Sequence, residues 1–388
     1  KNLKKDNMLN FGRENTGLAA KWWRNVDKQI LFLFVFLLLL GLFFSFSSTT
    51  SVMSEKMNKE TYFFFIKHLF FVSISLLLIL LISIPEKKKL IKFLFFLFFI
   101  SILILALVPF FGVEIKGSKR WMDFPILPLF QPVELVKPLF VIFVAKIIVL
   151  NEKTNIYKRY LYSFLALLFI SIFLIYQPDL GQTFLLTLTW ITMIFVSGFN
   201  MAILLMLVLI FASAIAFLIF FFPEKFGYIF LRIDTFLNPK VGDNFQSQKA
   251  LEAIKQGGLT GQGMGEGILK DEVPEAHTDY IIAVISEEFG AIFVLFIVII
   301  FLFIGYKVLN KVFSGNDEFL KLALVGLISL LIIQTFIHIG VNSRLFPTTG
   351  MTLPFLSYGG SSLIGSSVIA GIILNFTRKD STRYFKND

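Results

Sequence analysis

Ten stretches of this chain approach the length needed to cross a bilayer as helix, and no other feature restricts its fold so strongly. A hydrocarbon core about 30 Å thick takes roughly 20 helical residues at about 1.5 Å each. The candidates are 29–47, 62–84, 90–112, 129–150, 160–177, 180–199, 201–222, 280–306, 319–341 and 361–376. The last is short and contains glycine (GSSVIAGIILNF), so its start is the least defined. Composition agrees: 56% of the 388 residues are hydrophobic and only 16% charged, too apolar for a soluble globular chain. The expected fold class is an all-α polytopic membrane protein with about ten transmembrane helices. Its parts are an N-terminal tail (1–28), one membrane domain (29–376) and a C-terminal tail (377–388). KWWRNVDK just before the first span reads as an interfacial anchor. No small-residue cleavage site follows the first apolar run, which is therefore expected to be retained as a span.

Charge sets the orientation. Lys and Arg number seven in the N-terminal tail, four in PEKKKLIK, three in NEKTNIYKR, two in YKVLNKVF and four in the C-terminal tail, or 20 on one side. The alternate short loops hold 6: Lys56, Lys59, Lys116, Lys119, Arg120 and Arg344. The positive-inside rule makes both termini cytoplasmic and puts the long loop 223–279, between the seventh and eighth spans, outside. The net charge of +10 is thus a signature of anionic lipid at the inner face and not of nucleic acid. Zero cysteines exclude disulfides, thiolate catalysis and Cys-ligated metal or iron–sulfur sites. The fifty phenylalanines fit a genome biased towards A and T and carry no chemical argument.

The unusual residues gather on the outer side. Loop 113–128 contains the basic, aromatic KGSKRWMDF. The next span opens QPVELVK, which sets Glu134 and Lys137 three residues apart on one helix face just inside the hydrocarbon. That pair is either a structural ion pair or part of a function. In QPDLGQ, Asp179 either caps the following helix or does that and more. Within the long loop, 246–256 is expected to be an amphipathic helix on the membrane surface, with Leu251 and Ile254 on its apolar face. Six glycines follow (Gly257, Gly258, Gly261, Gly263, Gly265, Gly267), read either as plain loop flexibility or as an anion-cradling nest. No strand precedes them, so a dinucleotide site is rejected.

PEAHTDYIIAVISEEFG then runs from polar chain into an apolar helix. At about 100° per residue, Ala283, Ser286 and Gly290 fall beneath Asp279, as a stripe for close helix packing or as a groove for a lipid chain. His277 reads as an interfacial hydrogen-bonding residue, since no second histidine lies at ligand spacing. NSRLFPTTGMTLPFLSYGGSS is expected to be a structured re-entrant element, because irregular backbone at membrane depth must be buried or line a cavity.

Taken together, KGSKRW, QPVELVK, QPDLGQ, GQGMGEGILK with PEAHTDYIIAVISEEFG, and PTTGMTLPFLSYGGSS resemble the SEDS family of bacterial shape, elongation, division and sporulation proteins. They stand in that family's order, and the division-type, FtsW-like branch fits better than the elongation-type, RodA-like one. The resemblance implies a glycosyltransferase that polymerises lipid II into peptidoglycan at the outer face of the bacterial cytoplasmic membrane, at the division septum. Implied partners are lipid II, a class B penicillin-binding protein transpeptidase, other division proteins and membrane lipids. Asp279 matches the family's essential aspartate and is implied to be the general base. Lys119, Arg120, Trp121, Glu134, Lys137, Asp179, Gln182, His277 and Ser357 are implied to bind substrate. No cofactor is implied with certainty. A divalent cation (Mg or Mn), with Asp179 and Glu134 near it, stays open, and no ligand set is readable. Arg344 stands where a small or apolar residue is expected. The rival readings are a lipid II flippase, an elongation-type enzyme with the same chemistry, and a scaffold recruiting division proteins. Ten spans with short inner loops leave no room for a soluble catalytic domain, so the chemistry must occur at a membrane face.

Overall fold

The computed structural model describes residues 17–49, 63–115, 117–124, 127–149, 155–238 and 244–379. Most of the N-terminal tail, the loop bearing Lys56 and Lys59, Lys116, and the end of the C-terminal tail lie outside the described residues. In chain order the helices are α1 (Leu18–Asn25), α2 (Lys28–Thr49), α3 (Phe63–Ser83), α4 (Lys87–Phe111), α5 (Val133–Val149), α6 (Ile156–Tyr176) and α7 (Leu180–Val196). After them come α8 (Met201–Phe221), α9 (Pro223–Leu237), α10 (Phe245–Gly257), α11 (Ile281–Ser314), α12 (Glu318–Asn342) and α13 (Gly360–Thr377). Eight are long and apolar enough to cross a membrane. With α5 and α7, each of 17 residues, they account for all ten expected spans.

Burial sorts the bundle. α12 and α13 are 72% and 89% buried over their apolar windows, whereas α8 is 12% buried and faces outward. α13 packs on α3 and α5, and α12 on α5, α7 and α11. Small residues permit the approach: a side chain on Gly365 would meet the Glu134 carbonyl at 2.7 Å. α5 and α7 are shorter than their neighbours, and their first turns, carrying Glu134 and Gln182, form the floor of an outward-facing cavity. α1 carries the start of KWWRNVDK, with Trp22 donating to the Ser83 hydroxyl (2.9 Å) and the Lys28 amine over the Trp23 ring.

The structure departs from the sequence reading in several places. Loop 113–128 is a three-stranded antiparallel sheet of β1 (Val113–Ile115), β2 (Ser118–Phe124) and β3 (Leu127–Phe130), with Gly117 at φ 74 in the first turn. The fourth span therefore starts at Val133 and not 129. The eighth extends to Ser314, so Lys307 and Lys311 ride on helix instead of loop. The long outer loop contains a second helix, α9, which the sequence reading lacked. Finally, α11 is not one continuous helix, because Gly290 adopts φ 79, ψ 172.

That break accounts for the glycine run. Interrupting a helix strands amides and carbonyls that hydrocarbon cannot satisfy. The Ala291 and Ile292 amides donate to the carbonyls of Gly258 and Leu259, and the Gln262 and Gly263 amides donate to the carbonyls of Glu287 and Glu288. The loop thus plugs the break. Both readings of the glycines need correction: the loop is tied down, and the anion its backbone meets is the chain's own. Glu288 accepts from the Gly265 amide (3.1 Å), from the Ser47 hydroxyl and from the Lys270 ammonium, while Glu287 accepts from the amides of Leu269 and Lys270 (2.8 and 2.7 Å). A Cβ on Gly261, at φ 80, would overlap the Glu288 carbonyl. We expect Gly261→Ala to destabilise the protein by about 2–5 kcal/mol, combining left-handed strain with overpacking. Limited proteolysis should find new cleavage between 258 and 272; a wild-type digestion pattern would contradict the plug.

The helix-wheel stripe beneath Asp279 also fails. Asp279 lies in turns ahead of α11, and the helical periodicity stops at Gly290. Ala283 and Ser286 are buried, and Gly257 at the end of α10 lies where any Cβ would overlap the Ser286 carbonyl. The small residues serve helix packing. α10 forms as expected, but its buried face is Ser247, Ala250, Ala253 and Gly257, seated on α11.

Candidate active site

A cavity of about 380 Å³ opens among β2, α5, α7, α9, the turns before α11 and the segment linking α12 to α13. By the charge rule it lies at the outer face. It is lined by Arg120, Trp121, Glu134, Gln182 and Asp279, all expected to be functional, together with Arg232, Gln131, Glu275, Thr352 and Tyr358.

Asp279 is held by its backbone, which leaves its carboxylate turned to the cavity. The Asp279 amide donates to the Glu275 carbonyl (3.1 Å), and its carbonyl accepts from Asn342 Nδ2 (3.0 Å). Asn342, fully buried at the end of α12, also accepts from the Ala283 amide (3.2 Å), so one side chain fixes both the turn and the start of α11. From the other side the 343–359 segment clamps the same turn. The Ser357 hydroxyl donates to the Thr278 carbonyl (2.7 Å), and the Tyr358 amide to that of His277 (2.9 Å). With Met351, Leu353, Phe355 and Leu356 buried, the segment is the structured element expected.

Gly350, at φ 65, sits between the two opposed charges. A Cβ there would lie 3.5 Å from Asp279 Oδ2 and 3.9 Å from Arg120 Nη1. Arg120 is fixed by donating to the carbonyls of Gln177 (3.1 Å) and Pro178, and Asp179 Oδ1 stands 3.8 Å from its Nη1. Asp179 also caps α7, accepting from the Gln182 amide at 3.5 Å, and accepts from Gln131 Nε2 at 3.2 Å. It therefore caps and pairs at once. Beneath the cavity Lys137 Nζ bonds both Glu134 oxygens (3.0 and 2.9 Å) and Gln334 Oε1 (3.2 Å), and Gln182 Nε2 donates to Glu134 (3.2 Å). Gln334 in turn donates to the Thr352 carbonyl (2.9 Å), which links the buried pair to the cavity wall.

The remaining expected residues lie apart. Lys119 alternates away from Arg120 along β2 and lines a neighbouring cleft with Glu114, Gln177 and Pro178. Lys137, Asp179 and Ser357 are buried at 2% exposure or less, behind the lining. The His277 ring packs among Phe64 and Tyr358. Arg344 adopts φ 55 in the turn after α12 and joins Arg232 and Phe346 around a small separate recess.

Sequence reasoning missed Arg232. It reaches both the cavity and the Thr348 carbonyl (3.4 Å) from α9, one turn beyond Tyr228. Burial, then the nearby Arg120 charge, lowers its pKa, and burial pushes the Tyr228 phenol up to about 12. Pro223 at the first turn of α9 and the Tyr228–Arg232 spacing were the available signals of a helix there.

Among the described residues no three His, Cys, Asp or Glu side chains converge as a metal site. Glu134 and Asp179 direct their oxygens to Lys137, Gln182, Arg120 and Gln131. That donor set does not fit a cation held by protein ligands alone.

The fold and cavity define a polytopic membrane protein that gathers three carboxylates, Asp279 among them, and two guanidiniums at one membrane face. A family model described as "Cell cycle protein", grouping FtsW, RodA and SpoVE, matches residues 28–382, and the chain belongs to that family. The probable peptidoglycan glycosyltransferase FtsW of Caulobacter vibrioides is 32% identical over 374 residues, covering 96% of this chain and 95% of the relative. Stage V sporulation protein E of Bacillus subtilis is 36% identical over 283 residues, covering 71% and 76%. Among solved structures, a chain of a peptidoglycan synthase complex that coordinates polymerization and crosslinking has a TM-score of 0.73 at 23% identity, covering 94% of this chain and 99% of that one. Thermus thermophilus RodA has a TM-score of 0.67 at 24% identity, again covering 94% and 99%. These two likenesses establish the fold.

Proposed function

We propose that the protein is a division-type peptidoglycan glycosyltransferase that polymerises lipid II at the outer face of the cytoplasmic membrane, with a class B penicillin-binding protein as partner at the septum. One observation carries this reading: Asp279 and Arg120 face one cavity across Gly350, at the membrane side where a lipid-linked sugar presents its head group. Relatives sharing about a third of its residues over nearly its whole length bear the glycosyltransferase name.

In the reaction the 4-hydroxyl oxygen of one sugar bonds to the anomeric carbon of another as that carbon's bond to the lipid pyrophosphate breaks. The hydroxyl proton passes to the Asp279 carboxylate. The departing pyrophosphate carries away the electron pair, and its charge is met by the guanidiniums of Arg120 and Arg232. Arg120 is held by backbone carbonyls of the α6–α7 turn, so it need not reorganise as charge develops. Lys137 and Gln182 keep Glu134 in place instead of touching substrate, and Gln131 braces Asp179 at the cavity wall.

The test supplies lipid II to purified full-length protein in liposomes, with and without its class B partner. Glycan chains and lipid crossing are measured together. A glycan ladder is expected. Lipid II crossing the bilayer with no polymer in either condition would replace this reading with transport. In the same assay Arg232→Gln should lower kcat/KM by about 10–100-fold, the range for a charge-assisted contact, with Arg232→Lys falling between. Wild-type kinetics for Arg232→Gln would remove Arg232 from the site.

A further inference from the structure

A second cavity, of about 190 Å³, lies at the opposite end of the bundle, where the charge rule places the cytoplasm. Four elements build it: the start of α4, the end of α11, the start of α12 and the end of α13. Its lining holds Lys87, Lys311, Lys321, Arg378 and Lys379 against one acid, Asp317. The walls are fixed. Arg378 donates to the carbonyls of Ser83, Ile84 and Pro85 (3.0, 2.7 and 3.0 Å), the Lys379 amide donates to Asn25 (3.1 Å), and Lys311 pairs with Asp27 (3.2 Å). The Asp317 carboxylate accepts from the Leu320 amide (3.1 Å) as the cap of α12. Below the amines the floor is apolar, with Val312, Leu324 and Phe376 all buried.

We propose that this cavity binds the phosphate headgroup of an anionic phospholipid of the inner leaflet. An excess of amines at the ends of spans selects an anion, and at that depth the available anions are lipid headgroups. The apolar floor matches the start of an acyl chain and gives a free phosphate ion nothing to bury against. The site lies at the far end of the bundle from Asp279 and does not rest on the proposed chemistry.

The experiment measures binding of labelled phosphatidylglycerol and phosphatidylcholine to the full-length protein in detergent. Inorganic phosphate and soluble glycerophosphoglycerol serve as competitors. Phosphatidylglycerol is expected to bind at least tenfold more tightly than phosphatidylcholine, with neither competitor displacing it at equal concentration. About 1 kcal/mol per interfacial lysine is about fivefold in affinity, so Lys87→Gln with Lys321→Gln should weaken binding about thirtyfold. Lys321→Gln alone, should the pair fold poorly, should weaken it about fivefold. Lys88→Gln with Lys89→Gln, exposed neighbours outside the lining, should change it less than twofold. Equal binding of the two lipids, equal loss from both lysine pairs, or unchanged binding by the Lys87 and Lys321 variants would each overturn the proposal. Displacement by inorganic phosphate would make this a soluble-anion site and overturn the lipid assignment.

Discussion

Replacing Lys137 by Met is expected to destabilise the protein by about 3–5 kcal/mol, the range for breaking one partner out of a buried ion pair. Lys137 is 1% exposed and Glu134 3%, and the ammonium contacts both carboxylate oxygens as well as Gln334. Methionine fills nearly the same volume but removes the charge together with the N–H donors to Glu134 and Gln334. Glu134 would then keep a single donor, Gln182 Nε2, for a buried negative charge. The diagnostic variant is the double one: Glu134→Gln with Lys137→Met removes both charges and should recover most of the loss. Melting of the detergent-solubilised proteins, followed by size exclusion, separates the cases. A single variant as stable as wild type would show that the pair is not structural. A double variant no better than the single would show that the contacts, and not the uncompensated charge, hold α5.

How much of this was legible in the sequence depended on the range of the interaction. The spans were, because some twenty apolar residues have one use in a bilayer. Asp179 was, because a cap acts within three residues of itself. Short-range rules failed where a local signal continued across a long-range event. The apolar pattern resumes directly after Gly290, so Glu287 and Glu288 just before it read as part of one helix and not as a break; its plug lies about thirty residues earlier, at Gly258 to Gly263. Strands as short as three residues gave too little alternation to announce the sheet that aims Arg120 inward and Lys119 outward. The family motifs flagged Lys137 and Ser357, but a motif does not say whether a side chain faces the cavity or supports it from behind. Arg232 and Asn342 were invisible for the complementary reason. Each takes its place from a partner, Thr348 for one and Asp279 for the other, that lies well away in the chain.

Asp279→Asn is expected to lower the rate of lipid II polymerisation by about 10²–10⁴, the range for removing a general base. The change is isosteric. The contacts that hold the turn, from Asn342 to the Asp279 carbonyl and from the Asp279 amide to Glu275, are made by backbone and survive it. The cavity wall and the two guanidiniums are also kept, so substrate should still dock while the carboxylate assigned to take its hydroxyl proton is gone. Loss by misfolding and loss by missing base therefore separate cleanly, because only the second leaves binding intact. The measurement is the lipid II affinity and the initial polymerisation rate of wild-type and Asp279→Asn protein, each with the class B partner, taken from the same preparations. The account predicts affinities within about threefold of each other and a polymerisation rate at least a hundredfold lower for the variant; polymer made by Asp279→Asn at the wild-type rate would contradict it.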